Sequence, residues 1–258
     1  MFDLAAATAA VERDFGAIIN RLDSIADADW DNPVRCAGWQ VKDLAVHVVG
    51  ASRGQAEGLR RAVAGVTSLA VLDPPAERGP RDLLAALKDG RDGLLAALRG
   101  LPARALQGAV PLPFGLLPAP VALQIVPLEY GFHRNDLDWA LGDHAALSAD
   151  MSATLLGILP GLLPMLAAGS PVSAGGAAPA EPVAYRLVAP STQVLASYAQ
   201  DGWSIVPGEN HTAVACEISG DDSPMALFIM GRIDTGHPGI TASDRDAAGA
   251  FKRYFPGP

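Results

Sequence analysis

The sequence predicts a mixed α plus α/β protein, in which an N-terminal helical bundle precedes a smaller α+β domain. Up to about residue 168, apolar side chains recur at the spacing typical of helices. Beyond residue 182, the segments VAYRLVA, QVLASYA, WSIVPG and TAVACEI show the alternation and β-branched content of strands. The stretch between them, GSPVSAGGAAPAEP, is rich in glycine and proline and is typical of a linker.

These changes in residue composition and periodicity predict two domains. Residues 1–168 form the bundle, residues 169–182 the linker and residues 183–258 the α+β domain. Two modest domains also fit the length, because 258 residues exceed the usual size of one compact domain. Helices are expected at about 3–26, 40–66, 80–101, 118–142 and 149–168, and in the second domain at 222–230 and 243–254.

The fifth predicted helix is uncharged from Met151 onward. Its apolar span of about 17 residues is at the lower limit for crossing a bilayer. Pro160 and Pro164 interrupt it, so we interpret it as a buried helix of the bundle.

Charge and cysteine content restrict the partners and the compartment. A net charge of −9 and a pI near 4.9 argue against a nucleic-acid partner and against docking on a membrane of anionic lipids. Cys36 and Cys216 lie far apart and form no CxxC pair, which favours a reducing compartment. The N-terminus lacks the regions of a signal peptide, and we expect a cytoplasmic protein, either a monomer or a homodimer.

A candidate metal site lies in the fourth predicted helix. Glu129 and His133 are four residues apart and Asp136 follows three later, so all three share one helix face. The preceding turns are almost wholly apolar, and buried ionisable groups need partners or a metal. His47, within an apolar run of the second helix, is the best donor of a further ligand. The alternatives are a solvated helix face for the pair and a neutral core histidine for His47.

Two stretches carry a family resemblance. DWDNPVRCAGWQVKDLAVHVVG and VPLEYGFHRNDLDWALG resemble two signatures of the mycothiol-dependent maleylpyruvate isomerase family, and the dipeptide Gly231–Arg232 resembles a feature of its C-terminal domain. The resemblance implies a DinB-like up-down four-helix bundle with a metal site, followed by a small C-terminal domain. Gln40 replaces a capping threonine of the family pattern, and Asn135 replaces a tryptophan, which alters the expected pocket wall.

The resemblance also implies residue roles. His47, Glu129 and His133 would bind a divalent metal, with zinc expected and nickel or iron as alternatives. Arg232 and Asp136 are the candidate catalytic residues. Arg232 would hold a substrate carboxylate, or it is a surface arginine at a helix end. Asp136 would orient a metal ligand or cap a neighbouring backbone group.

The implied activity depends on mycothiol as a low-molecular-weight thiol cosubstrate. A metal-bound thiolate would attack a small-molecule electrophile that carries a carboxylate, giving an isomerase or an S-transferase. Two alternatives remain open at this point: a hydrolase that activates water at the metal, and a non-catalytic binding module stabilised by the metal. Two further residues have two expected roles each. Asp43 is a first-turn helix charge or orients His47, and Trp39 packs the loop or lines the pocket.

Overall fold

The computed structural model describes residues 3–36, 38–167, 178–200, 202–208 and 212–257. The chain divides into two compact units, Met1–Ala145 and Ala146–Pro258. The first is mainly helical and the second combines helices with a sheet. The predicted fold class, a helical domain followed by an α+β part, is therefore confirmed.

The first unit is built on four long helices in the part of the chain that the structure describes. These are α1 (Leu4–Ser24), α2 (Val41–Val63), α3 (Pro80–Arg99) and α4 (Ala119–Ala140). Helix α1 packs on α3 and α4, and α2 packs on the same two helices. The shared core includes Val11, Phe15, Ile18, Leu22, Leu44, Val48, Leu59, Leu83, Leu87, Leu94, Leu123, Val126 and Tyr130.

The sequence explains where these helices begin. Asp3 precedes α1, and its carboxylate accepts hydrogen bonds from the backbone N–H groups of Ala5 and Ala6. At the start of α2 the side chain of Gln40 caps nothing, and Asp43 instead accepts the backbone N–H of Gln40 at 2.9 Å. Of the two roles considered for Asp43, this contact supports the one in the first turn of the helix. Helix α3 begins with Pro80, whose missing N–H costs nothing at that position.

A short hairpin lies where the sequence indicated only an irregular stretch. Strands β1 (Ala109–Leu112) and β2 (Gly115–Pro118) pair antiparallel between α3 and α4. Strand β1 packs closely on α2, where Gly54 and Gly58 leave room for Pro113 and Pro111. The hairpin leads directly into α4.

The second unit surrounds a five-stranded sheet. Its described elements are α5 (Ala149–Gly157), α6 (Leu159–Leu166), β3 (Val183–Ala189), β4 (Thr192–Ala199), β5 (Gly202–Pro207), β6 (Cys216–Gly220), α7 (Asp222–Ile229), β7 (Ile240–Ala242) and α8 (Arg245–Tyr254). The strand order is β5-β4-β3-β6-β7, and only the β3–β6 pair is parallel within the described strands. The four strand-like segments predicted after residue 182 contribute β3, β4, β5 and β6.

The predicted fifth bundle helix differs from the structure in two ways. It is broken at Ile158 into α5 and α6, which meet at a bend of 75°. The break has a simple cause, because Pro160 lacks an N–H and favours the start of a new helix. Both helices also belong to the second unit, where Leu156, Leu159 and Leu163 join the core beneath the sheet. The division therefore falls at 145/146 rather than at the predicted 168/169.

Of the predicted linker 169–182, residues 169–177 lie outside the described part of the chain. Among the helices that the structure describes, none alone has the length and hydropathy to cross a membrane, and α5 with α6 reaches that threshold only as a bent pair.

Candidate metal centre

The three predicted metal ligands lie together in the first unit. Glu129 and His133 project from adjacent turns of α4, and His47 projects from α2. The Nε2 atom of His47 is 2.7 Å from Oε1 of Glu129, and the Nε2 atom of His133 is 3.4 Å from the same oxygen. All three ligand atoms lie within 4.8 Å of one another. Two distant segments thus supply one His2Glu cluster.

The surroundings hold the two imidazole rings in place. Their centroids are 4.8 Å apart in an edge-to-face arrangement. Trp39, at the end of the loop before α2, has its ring 4.9 Å from that of His47 and also packs at the edge of the bundle core. Trp39 therefore fulfils both roles considered from the sequence: it packs the loop and lines the site.

The cluster is open on one side. The side chain of His47 is 37% exposed, that of Glu129 is 21% exposed and that of His133 is 7% exposed. A group arriving from solvent would meet the cluster on the His47 side. A binding site with buried ligands and one accessible side suits a catalytic metal, which needs an open position for water or substrate.

The charges of the cluster reinforce one another. Burial alone would raise the pKa of Glu129, but the charge of His133 and the hydrogen bonds from both histidines hold this pKa well below its usual value. Burial alone would lower the pKa of His133, but the charge of Glu129 and the neighbouring Asp136 raise this pKa well above its usual value. Without a metal, Glu129 is therefore stable as the carboxylate that a metal requires, whereas His133 is stable as an imidazolium and would release a proton when a metal binds.

The donor set and its spacing fit a divalent cation. In tetrahedral zinc sites the bonds are about 2.0–2.2 Å, so neighbouring ligand atoms lie about 3.3–3.5 Å apart. The His133–Glu129 distance already has this value, and the His47–Glu129 pair would have to open by less than one ångström. Two imidazoles and a carboxylate suit zinc, and iron or nickel would accept the same donors.

Asp136 lies behind His133. Its side chain is fully buried, and its Oδ2 atom is 3.2 Å from Nδ1 of His133, although the ring N–H is not aligned for a strong hydrogen bond. The Sγ atom of Cys36 is 3.5 Å from the same oxygen, and Nη2 of Arg35 is 3.4 Å from Oδ1. These contacts favour the orienting role over the backbone-capping role for Asp136.

Sequence reasoning missed the contacts that Arg35, Cys36 and Asn135 make in this region. Cys36, His133 and Asp136 form a second group with mutually close ligand atoms, and Arg35 and Asn135 are joined by a hydrogen bond beside it. Asn135 was identified only as a departure from the family pattern, and Cys36 only as one of two cysteines that lie far apart in the chain. The available signal was the position of Arg35 and Cys36 inside the first signature stretch, but one sequence does not reveal contacts across 100 residues.

Arg232 lies in the second unit, just after α7. Its side chain is largely buried, and Nη1 donates to the backbone carbonyl of Met230 at 2.7 Å. This placement excludes a freely exposed surface arginine. Its proposed role toward a substrate carboxylate stays a prediction.

A feature that the sequence did not suggest lies at the same helix end. Lys252 donates to the carbonyls of Phe228 and Ile229 at 2.7 and 3.3 Å. Burial, with a smaller contribution from the charge of Arg232, lowers the pKa of Lys252 to about 7. Two basic side chains, Arg232 and Lys252, thus donate to backbone carbonyls at the C-terminal end of α7, where the helix dipole favours positive charge.

Fold and site together define a class of protein: a helical bundle with a candidate divalent-metal centre between two helices, joined to an α+β unit. Residues 11–138 match the family model of the mycothiol maleylpyruvate isomerase N-terminal domain. The N-terminal unit therefore contains a domain of this family, and the resemblance noted in the sequence is confirmed.

Solved structures give the same result for the fold. The structure of this chain is similar to two crystal structures of the mycothiol-dependent maleylpyruvate isomerase, one of them of a histidine-to-alanine mutant. The mutant structure gives a TM-score of 0.66 at 16% identity and the other gives 0.65 at 17% identity, each covering 93% of both chains. No curated protein sequence matches this chain. At these identities the structural likeness establishes the fold.

Proposed function

We propose that this protein is a thiol-dependent enzyme that binds a divalent cation, with zinc expected, through His47, Glu129 and His133. The observation that carries the proposal is the convergence of these three side chains inside the region that matches the family model. The thiol would be mycothiol, on which the isomerases of similar fold depend according to their names.

The chemistry follows from the donor set. When bound here, a divalent cation would keep a thiol sulfur deprotonated at neutral pH. The residues of the chain would have separate tasks: His47 borders the more exposed side of the cluster, by which a thiol would enter, and the Trp39 ring packs beside both imidazoles. Asp136 sits against the second nitrogen of His133 and would orient that ligand.

The thiolate sulfur would then form a bond to an electrophilic carbon of a small substrate, and the displaced electron pair would move onto the substrate. Expulsion of the same sulfur after bond rotation returns the electron pair to the carbon–carbon bond and gives an isomer. If the electron pair instead takes up a proton, equivalent to the one that the thiol released, the sulfur is retained and an S-conjugate results. We propose a substrate with a carboxylate, for which Arg232 would be the partner, because a guanidinium binds a carboxylate with two parallel hydrogen bonds.

The first experiment measures metal content. Purified protein should contain about one equivalent of a divalent cation, and His47→Ala should lose it because only two ligands remain. His144→Ala is the matched control, since this histidine belongs to the same unit but packs against Trp139 outside the ligand group. Retention of a full equivalent by His47→Ala would disprove the ligand assignment.

The second experiment separates the possible functions. A thiol-dependent enzyme should convert a carboxylate-bearing electrophile, such as maleylpyruvate, only when mycothiol is supplied. Turnover with water alone would identify a metal-dependent hydrolase instead. A protein that contains the metal but converts the electrophile neither with mycothiol nor with water alone would be identified as a non-catalytic binding module.

A further inference from the structure

Arg35 connects the loop before α2 with the last turns of α4. Its side chain is only 10% exposed. Its guanidinium contacts three side chains of α4: it donates to Oδ1 of Asn135, approaches Oδ1 of Asp136 at 3.4 Å and lies 5.9 Å from the ring centroid of Trp139. A buried guanidinium with contacts of this kind has a defined position.

Backbone hydrogen bonds within the loop fix the backbone position of Arg35. The N–H of Val34 donates to the carbonyl of Trp39 at 3.0 Å, and the N–H of Val41 donates to the carbonyl of Asn32 at 3.0 Å. Gly38 has a φ of +79°, a conformation that favours glycine and lets the loop reverse here. The same short loop therefore carries Arg35 to α4 and the Trp39 ring to the histidines.

The two oxygens of Asp136 face different partners. Oδ1 faces Arg35, while Oδ2 faces Nδ1 of His133 at 3.2 Å and Sγ of Cys36 at 3.5 Å. Nδ1 is the imidazole nitrogen that does not face Glu129. A chain of contacts therefore runs from Arg35 through Asp136 to the back of His133.

The group Cys36, His133 and Asp136 could be considered as a second cation site, since its ligand atoms lie within 4.8 Å of one another. The position of Arg35 argues against this interpretation. A guanidinium beside Asp136 already supplies the positive charge that this buried carboxylate needs, and it would repel a cation placed there. The group is better explained as support for the metal ligand in front of it.

We infer that Arg35 is a positioning residue for the candidate metal centre. It holds the Asp136 carboxylate 3.2 Å from Nδ1 of His133, and the attraction between this carboxylate and the imidazole favours the ring orientation in which Nε2 faces Glu129 and would face the cation. Asn135 secures Arg35, because its Oδ1 accepts the guanidinium while its Nδ2 donates to the carbonyl of Ala145 at 2.8 Å. The departure from the family pattern at position 135 thus acquires a role. The inference rests on the proposed metal site.

The test measures cation affinity and ligand geometry rather than turnover. Zn²⁺ affinity is determined by competition with a chromogenic chelator, and Co²⁺-substituted protein is examined by visible absorption. Arg35→Met should weaken Zn²⁺ binding about tenfold, within the range typical of changes behind a metal ligand, and should alter the Co²⁺ spectrum. Arg35→Lys keeps the positive charge but lacks the planar guanidinium with its several N–H donors, so its Zn²⁺ affinity should lie between those of the wild type and Arg35→Met.

Two further variants locate the effect. Arg134→Met is the matched control, because Arg134 also pairs with a buried aspartate, Asp14 at 3.0 Å, and its other ion pair is with Asp138 rather than with the carboxylate behind His133. It should leave Zn²⁺ affinity unchanged. In an Asp136→Asn background, adding Arg35→Met should produce little further loss, because the arginine acts through that carboxylate.

The outcomes distinguish this inference from the proposed function. If the wild-type protein binds no divalent cation, both are overturned. If the wild type binds Zn²⁺ and Arg35→Met binds it equally well, with an unchanged Co²⁺ spectrum, the metal site stands and the role of Arg35 is refuted. Equal losses in Arg35→Met and Arg134→Met, or full additivity with Asp136→Asn, would also refute it.

Discussion

At the scale of single residues, Lys252 carries a titration that should be visible in protein stability. Its pKa is lowered from the usual 10.5 to about 7, mainly by burial. Between these two values the unfolded chain binds a proton that the folded chain lacks, so this residue makes the free energy of unfolding rise with pH. Below pH 7 both states are protonated, and the unfavourable contribution of the buried charge is fully present.

The expected result is a difference between two pH profiles. From pH 7.5 to 9.5 the unfolding free energy of the wild type should rise, relative to that of Lys252→Met, by about 1.4 kcal/mol per pH unit. Urea unfolding of both proteins at three pH values measures this difference, and other titrating groups cancel in the comparison. Parallel profiles would show that the Lys252 ammonium is not destabilised by its surroundings.

The site shows which single residues a sequence can reveal. Glu129 and His133 could be found because helical periodicity fixes the relation between positions four apart. Arg35 and Asn135 could not, because their contact depends on how a loop folds onto a helix 100 residues later. Local periodicity contains no information about such a contact.

At the scale of elements, the close packing between α2 and the β1–β2 hairpin requires a residue without a side chain at position 58 of α2. A Cβ atom added to Gly58 would collide with the carbonyl oxygen of Pro111, which belongs to the backbone and has little freedom to move. Gly58→Ala should therefore destabilise the protein by about 1–3 kcal/mol, despite the better helix propensity of alanine.

Gly93→Ala is the matched control within α3, since no atom lies within 4 Å of an added Cβ there. It should stabilise the protein by about 1 kcal/mol, the usual gain for alanine over glycine inside a helix. Urea unfolding followed by helical circular dichroism reports both values. A neutral or stabilising Gly58→Ala would mean that the hairpin shifts easily away from α2.

The elements themselves were predicted unevenly. The bounds of α1, α3 and α4 were predicted within about two residues, because long apolar stripes give a strong periodic signal. The hairpin was missed, since four-residue strands that contain Pro111 and Pro118 lack the alternation by which strands are recognised. The apolar run after Met151 was identified as helical, but its division at Ile158 was not.

At the scale of the whole molecule, the division between the units has a measurable consequence. Leu159 is fully buried in the core of the second unit, and Leu87 is fully buried in the core of the first. Leu159→Ala should cost about 2–5 kcal/mol in the second unit, as cavity-forming changes do. Leu87→Ala should have a similar cost in the first unit.

Hydrogen exchange resolved along the chain distinguishes the two effects. In Leu159→Ala, protection should fall in β3, β6, α7 and α8, whereas in Leu87→Ala it should fall in α1 to α4. Loss of protection in α1 to α4 of Leu159→Ala would support the boundary that the sequence predicted at 168/169. The sequence misplaced this boundary because apolar residues predict that a helix is buried but do not indicate which of two cores it packs into.

His47 and Glu129, which meet at 2.7 Å, are 82 residues apart in the chain. A cation bound by both would therefore act as a staple across a long segment. Because the unfolded chain does not hold these two side chains together, the cation would bind the folded chain only, and at a free concentration one hundred times its dissociation constant it would stabilise the folded state by about 2.7 kcal/mol. In a cell that lacks the cation, the helical unit would unfold more often, and proteases would degrade the cation-free protein faster than the cation-bound protein.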